Sequence, residues 1–177
     1  VGTGKAVTFT GFALAGDAAG NYTLASQPAD TAADITVKEI TINGAAVEAS
    51  RIYNGTTDAK ITNAGTPSVN YDGENLKVAA GKAAYDNKNV GKGKTVTFTG
   101  FTLSGDAAAN YKLTAQPEAV TADITVKEIK IVDTAVETPK IYDGSPDAKI
   151  TEKGTFDGLI NGDKVDIVTG KAAYDDK

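Results

Sequence analysis

The chain has 177 residues, a net charge of -5 and an isoelectric point near 4.8, and it contains no Cys, His, Met or Trp. This inventory excludes disulfides, thiolate nucleophiles, thiolate metal sites and the imidazole that most near-neutral proton transfer and transition-metal ligation rely on, so catalysis is not expected. The acidic surface repels phosphate backbones and anionic lipid headgroups, which argues against nucleic acid and membrane insertion as modes of partnership.

Apolar residues make up 41% of the chain, enough for a folded protein. Much of that share is Ala, so each core must be thin and built from Val, Ile, Leu, Phe and Tyr. No signal peptide and no apolar run of membrane-spanning length is present, so the chain reads as an internal segment of something longer.

The sequence matches itself at an offset of 89 residues without a gap, Val1 answering Val90 and Lys88 answering Lys177, and more than half of the pairs are identical. This period is too long for a solenoid coil and fits one small domain per copy. Along the chain, Val7, Phe9 and Gly11 alternate with Thr8 and Thr10, which predicts a strand with one face inward and a threonine stripe outward. A single helical turn follows at Asp17 to Asn21, repeated at Asp106 to Asn110, and then a strand at Tyr22 to Leu24. Further strands are predicted at Val47 to Tyr53, Leu76 to Ala79 and Ala83 to Tyr85. Between Pro67 and Ala80 the copies diverge, as a loop and strand edge would. Gly91-Lys-Gly-Lys-Thr95 lacks both the leading Gly and the following helix of a phosphate loop, and is expected to be a flexible connection.

The apolar phase flips inside Ala33 to Ile42. Ile35 and Val37 sit on odd positions, Ile40 and Ile42 on even ones, and Ile124, Val126, Ile129 and Ile131 repeat the pattern. Strand side chains alternate between faces, so a flip moves the chain from one core to another surface. Lys38 and Glu39, with Lys127 and Glu128, are therefore candidate module junctions of extended backbone; a β-bulge is the alternative. This phase divides the chain into 1–38 (the back of one copy), 39–127 (a complete copy) and 128–177 (the front of the next), with 1–88 and 89–177 as the alternative. The two partial copies should seek each other in neighbouring chains, head to tail; the alternative is that the chain is a stretch of a longer fibre.

Tyr53-Asn54-Gly55 and Tyr142-Asp143-Gly144 are candidate structural turns, each pinned by a packed tyrosine; a sugar-stacking tyrosine is the functional alternative. Asp17 with Asn21, Asp106 with Asn110, Asp72 with Glu74 and Asp157 with Asp163 are weak calcium candidates, since none has EF-hand spacing. No other cofactor is expected, and no residue is a catalytic candidate.

Ile141-Tyr-Asp-Gly-Ser145 and Gly170-Lys-Ala-Ala-Tyr-Asp-Asp-Lys177 resemble the YDG-type repeats of large bacterial adhesin-like surface proteins. Tyr85-Asp-Asn-Lys-Asn-Val-Gly-Lys-Gly-Lys94, Leu103-Ser-Gly-Asp106, Asn110-Tyr-Lys-Leu113 and Ala122-Asp-Ile-Thr125 extend the resemblance in order, while Tyr53-Asn-Gly55 departs from the name-giving Asp. The resemblance implies an extracellular setting at the bacterial cell surface and no enzyme activity. Together with the patterning it gives the expected architecture: all-β, tandem, small β-sandwich-like (Ig-like) modules joined end to end into an elongated stalk or fibre. The alternative is a module that binds carbohydrate or a host protein through the variable 67–80 region.

Overall fold

The computed structural model describes residues 1–176, and it is all-β apart from two single 3-10 turns, Ala19–Asn21 and Ala108–Asn110. The first copy contributes β1 (Gly2–Val7) and β2 (Thr31–Ile35). Residues 38–125 hold β3 (Lys38–Ile40), β4 (Ile42–Asn43), β5 (Ala46–Val47), β6 (Ser50–Ile52), β7 (Asp58–Ala59), β8 (Ile61–Asn63), β9 (Thr66–Pro67), β10 (Lys77–Ala79), β11 (Lys82–Tyr85), β12 (Gly91–Thr99), β13 (Thr102–Ser104), β14 (Tyr111–Leu113) and β15 (Val120–Thr125). Then come β16 (Lys130–Val136), β17 (Asp147–Ala148), β18 (Ile150–Asp157) and β19 (Ala172–Ala173).

The strands form one five-stranded sheet, ordered β6-β15-β12-β11-β7, and a set of two-stranded sheets. Two compact units result. One comprises 1–47, 61–83 and 97–119; the other comprises 48–60, 84–96 and 120–177. These units cut across the 89-residue copies. The first contains the β1–β2, β3–β14, β4–β9, β5–β8 and β10–β13 pairs, and the second the β6–β15, β16–β18 and β17–β19 pairs.

The copies agree in pairing as well as in sequence. Gly2 opposes Ile35, Lys5 opposes Ala33 and Val7 opposes Thr31; 89 residues on, Gly91 opposes Ile124, Lys94 opposes Ala122 and Val96 opposes Val120, with the same irregularity after the first partner. Ile42 opposite Pro67 and Ala46 opposite Asn63 are likewise answered by Ile131 opposite Phe156 and Ala135 opposite Glu152. Gln27 and Gln116 each clasp the backbone N–H and C=O of a phenylalanine, Phe12 and Phe101 respectively.

Burial breaks this symmetry. Among the described residues every buried hydrophobic lies between Ile40 and Ile124. In the first unit Ile40, Leu76, Ala107 and Tyr111 form one cluster, with Val69, Leu103 and Ala108 against it. In the second, Val96, Ala122 and Ile124 are buried along β12 and β15, and Tyr85 along β11. Their first-copy counterparts are open: Phe12 is 54% exposed against 2% for Phe101, and Tyr22 73% against 7% for Tyr111.

The same asymmetry explains where the strands depart from expectation. β1 ends at Val7, leaving Phe9 and Gly11 outside, whereas β12 continues through Phe98 to Thr99. Tyr22 to Leu24 form no strand, while the equivalent Tyr111–Leu113 does, because β3 runs parallel beside it. Gly91 to Thr95 is strand rather than flexible connection: Gly93 takes φ +60° and donates its N–H to the Asp123 carboxylate at 2.8 Å, which absorbs the irregularity within the ladder. The segment Val47 to Tyr53 splits into β5 and β6, with Glu48 N–H donating to Lys60 C=O between them.

Candidate functional site

The two tyrosine turns are built alike. Asn54 Oδ1 accepts the Thr56 backbone N–H at 3.1 Å, and Asp143 Oδ1 accepts the Ser145 N–H at 3.0 Å. Gly55 and Gly144 follow at φ +80° and +76°, a region where a side chain is strained. A side-chain oxygen closing on the N–H two residues later needs only an acceptor, so Asn and Asp serve equally.

A cation completes each turn. The Arg51 guanidinium lies over the Tyr85 ring at 5.0 Å and donates to Asn54 Oδ1 and to the Thr56 carbonyl. Lys140 sits 5.7 Å from the Tyr174 ring centre, 2.9 Å from Asp143 Oδ1, and donates to the Ser145 and Asp147 carbonyls. The Lys140 contact, then the Ser145 N–H, hold the Asp143 carboxyl below its usual range. This geometry supplies a braced turn; the acid is consumed in bracing it.

Beyond its own turn, Tyr53 donates its hydroxyl to Asp163 Oδ2 at 2.6 Å, while Lys88 Nζ reaches Asp163 Oδ1 at 3.0 Å. The Tyr53 hydrogen bond, followed by that of Lys88, lowers the Asp163 pKa, and Lys88 is raised in return. Gly55 abuts the same loop: a Cβ there would stand 2.8 Å from Ile160 Cγ2. Residues 160–163 are the counterpart of 71–74, so the conserved turn of one copy meets the divergent loop of the next. This contact was not anticipated from the sequence. Its trace there was a Gly (Gly73, Gly162) and an acid (Glu74, Asp163) retained within an otherwise divergent stretch.

Tyr142, the counterpart of Tyr53, has no hydrogen-bond partner among the described residues and is 79% exposed, so the second turn is not pinned by a packed tyrosine as expected; Lys140 and the Asp143 side chain hold it instead. Its neighbours Lys140 and Tyr174 line an open cleft with Thr138 and Ser145.

Within the variable 67–80 region, Leu76 is buried, Val69 packs on its cluster and Glu74 accepts the Tyr111 hydroxyl, which pushes the tyrosine up to about 12. Tyr71 is the open part, 57% exposed. Of the calcium candidates, Asp106 accepts from the Asn75 amide and Asn110 Oδ1 from the Val1 ammonium. No cluster of three potential metal-binding side chains occurs among the described residues. Of the junction candidates, Lys38 and Glu39 lie in β3, where Glu39 pairs with Lys112 at 2.8 Å, while Lys127 and Glu128 lie between β15 and β16.

The family model of the YDG domain matches residues 1–32 and 36–119. No curated protein and no solved structure matches the chain.

Proposed function

The chain belongs to the YDG domain family, and on that premise we propose that it is a non-catalytic structural repeat from the stalk or fibre of a bacterial adhesin-like surface protein. Each 89-residue copy is then one small β-sandwich-like module, with 39–127 the complete one. The observation that carries this reading is the recurrence of strand register, bulge and turn chemistry at one fixed offset.

Two features favour a stiff connection. The chain leaves β2 at Ile35 and enters β3 at Lys38 with no Gly or Pro between, so the phase flip hands it directly from one pairing partner to another. The Tyr53, Lys88 and Asp163 contact then ties a conserved turn to the following copy.

The recognition alternative is weaker, since Val69, Glu74 and Leu76 of the variable region serve packing and the Tyr53 hydroxyl is engaged. Small-angle scattering on chains of increasing copy number tests the spacer reading: the maximum dimension should rise by a constant increment per copy. Growth following the weak length dependence of a compact particle would refute it. A glycan array signal from a multi-copy chain would favour recognition instead.

A further inference from the structure

Lys94 is the most enclosed of the ion-paired lysines among the described residues, its side chain 9% exposed against 21% or more for the others. It stands on β12, across the turn from the end of β11, where the Asp86 N–H donates to the Thr95 carbonyl at 2.9 Å and extends the strand pairing. An ammonium is strongly hydrated, so an enclosed one must find its partners in the protein. The Lys94 Nζ lies 2.8 Å from Asp86 Oδ1 and 2.9 Å from Asn87 Oδ1. The same Asp86 oxygen accepts the Asn87 N–H at 2.8 Å, and the same Asn87 oxygen accepts the Asn89 N–H at 3.0 Å. A primary amine, a carboxylate and a carboxamide therefore meet at one point, and a backbone donor already polarises the carboxamide carbonyl.

We propose that Lys94 and Asn87 join through an intramolecular isopeptide bond, with Asp86 carrying the protons. This rests on the local geometry alone and is independent of the stalk reading. The Lys94 hydrogen bond holds the Asp86 carboxyl below its usual range, so it stands as the carboxylate that can take a proton from the lysine. The freed amine attacks Asn87 Cγ, moving from the edge to the face of the carboxamide on its flexible four-carbon stem. Charge gathers on Asn87 Oδ1, where the Asn89 N–H stabilises it. The Cγ–Nδ2 bond then breaks as Asp86 hands protons to the leaving nitrogen. Of the three ammonium hydrogens, one stays on the new amide and two depart with Nδ2 as ammonium, so the step is redox-neutral and needs no co-reactant.

The following copy repeats the acyl side of this arrangement. Asp175 and Asp176 answer Asp86 and Asn87, and the Asp176 N–H again donates to Asp175 Oδ1, at 3.1 Å. Position 87 of the repeat thus exchanges Asn for Asp, the short side chains that can acylate an amine here, one releasing ammonia and the other water. In a chain without Cys the bond fastens the end of β11 to β12. The loop it closes is short, so its effect is to hold the turn more than to restrict the unfolded chain.

Intact mass spectrometry of the full chain, denatured after incubation at neutral pH, should show a species lighter than its sequence requires by one ammonia. Trypsin cannot cut at an acylated Lys94, so the digest should contain residues 83–88 joined to residues 93–112 as one branched fragment. Lys94→Arg keeps the cation and its hydrogen bonds and should restore the full mass; Asp86→Ala should slow formation of the branched fragment at least tenfold. A wild-type chain at its full sequence mass would overturn the proposal. So would an ammonia loss confined to a linear fragment, which marks a cyclised asparagine, or one that persists in Lys94→Arg. A branched fragment forming at an undiminished rate in Asp86→Ala would overturn the part given to Asp86.

Discussion

Phe12 and Phe101 form a matched pair in which local bonding is held constant and only cover differs. Each makes an edge-to-face contact with the phenylalanine three residues earlier, at 6.0 and 5.5 Å, and each has its backbone clasped by a glutamine. Phe12 is 54% exposed and Phe101 2%. With about 200 Å² for a phenylalanine side chain, roughly 100 Å² of extra burial separates them, or about 2.5 kcal/mol at ~25 cal/mol per Å². The void left in a close-packed site raises the expected loss for Phe101→Ala to about 3–5 kcal/mol. Phe12→Ala should leave the main unfolding transition within about 0.5 kcal/mol, because its side chain contributes nothing to the buried cluster. Against a total stability on the order of 5–15 kcal/mol the first loss is large. Urea unfolding followed by tyrosine fluorescence, at concentrations where the chain is monomeric, reads both as midpoint shifts at constant m. Equal losses at the two sites, or a loss confined to Phe12→Ala, would refute the claim that burial of Phe101, and not the bonding it shares with Phe12, sets its contribution.

Gly65 and Gly154 sit at φ +80° and +86°, where an added Cβ would approach Asn43 O to 2.5 Å and Val132 O to 2.3 Å. Gly65→Ala should therefore cost about 1–3 kcal/mol, measurable in the same urea series, and a neutral result would count against the observed β4–β9 register. The double change Arg51→Lys with Asn54→Asp rebuilds the Lys140 and Asp143 arrangement and should leave the melting temperature unchanged, whereas Asn54→Ala should lower it; a drop for the double variant equal to that of Asn54→Ala would show that the two turns are not equivalent. Asp163 has a depressed pKa, so its contribution is complete above the ordinary aspartate value of about 4 and is lost as pH falls through its folded value. A carboxyl NMR titration should place its midpoint below about 4, and Tyr53→Phe should move it upward because the leading cause of the shift is removed. A wild-type midpoint above that value, or one indifferent to Tyr53→Phe, would show that the hydrogen bond does not form.

The all-β class, the single helical turns and the strands at 77–79 and 82–85 were legible because they depend on alternation and turn chemistry within a few residues. The Asn54 and Asp143 exchange announced a braced turn for the same reason. What could not be read is what depends on distant partners. Tyr22 to Leu24 and Tyr111–Leu113 have almost the same local sequence, yet only the second is a strand, since only it has β3 beside it. Phe9 carries the same alternation as Phe98 and lies outside β1, because strand formation at that position needs cover that the first copy lacks. The loop from Tyr71 to Glu74 looked free to vary, and most of it is; its acid was hidden because Glu and Asp differ in name while sharing the acceptor chemistry.

That acid gives the divergence a physical limit. Glu74 receives the hydroxyl of Tyr111 from its own copy, and Asp163 receives that of Tyr53 from the copy before, at positions 89 residues apart. A carboxylate has two oxygens with several acceptor directions, so one such residue can bind a fold-internal tyrosine and a junction tyrosine together. Longer Glu and shorter Asp both satisfy the arrangement when the neighbouring glycine, Gly73 or Gly162, lets the turn adjust its reach at positive φ. The rest of the loop is then free to change, because neither the hydrophobic cluster under Leu76 nor the turn at Tyr53 depends on what its exposed side chains are. One position of the repeat thus serves a contact within a copy at Glu74 and a contact between copies at Asp163, so a substitution such as Asp163→Ala should release Tyr53 and Lys88 while it leaves the Tyr111 contact and each sheet intact.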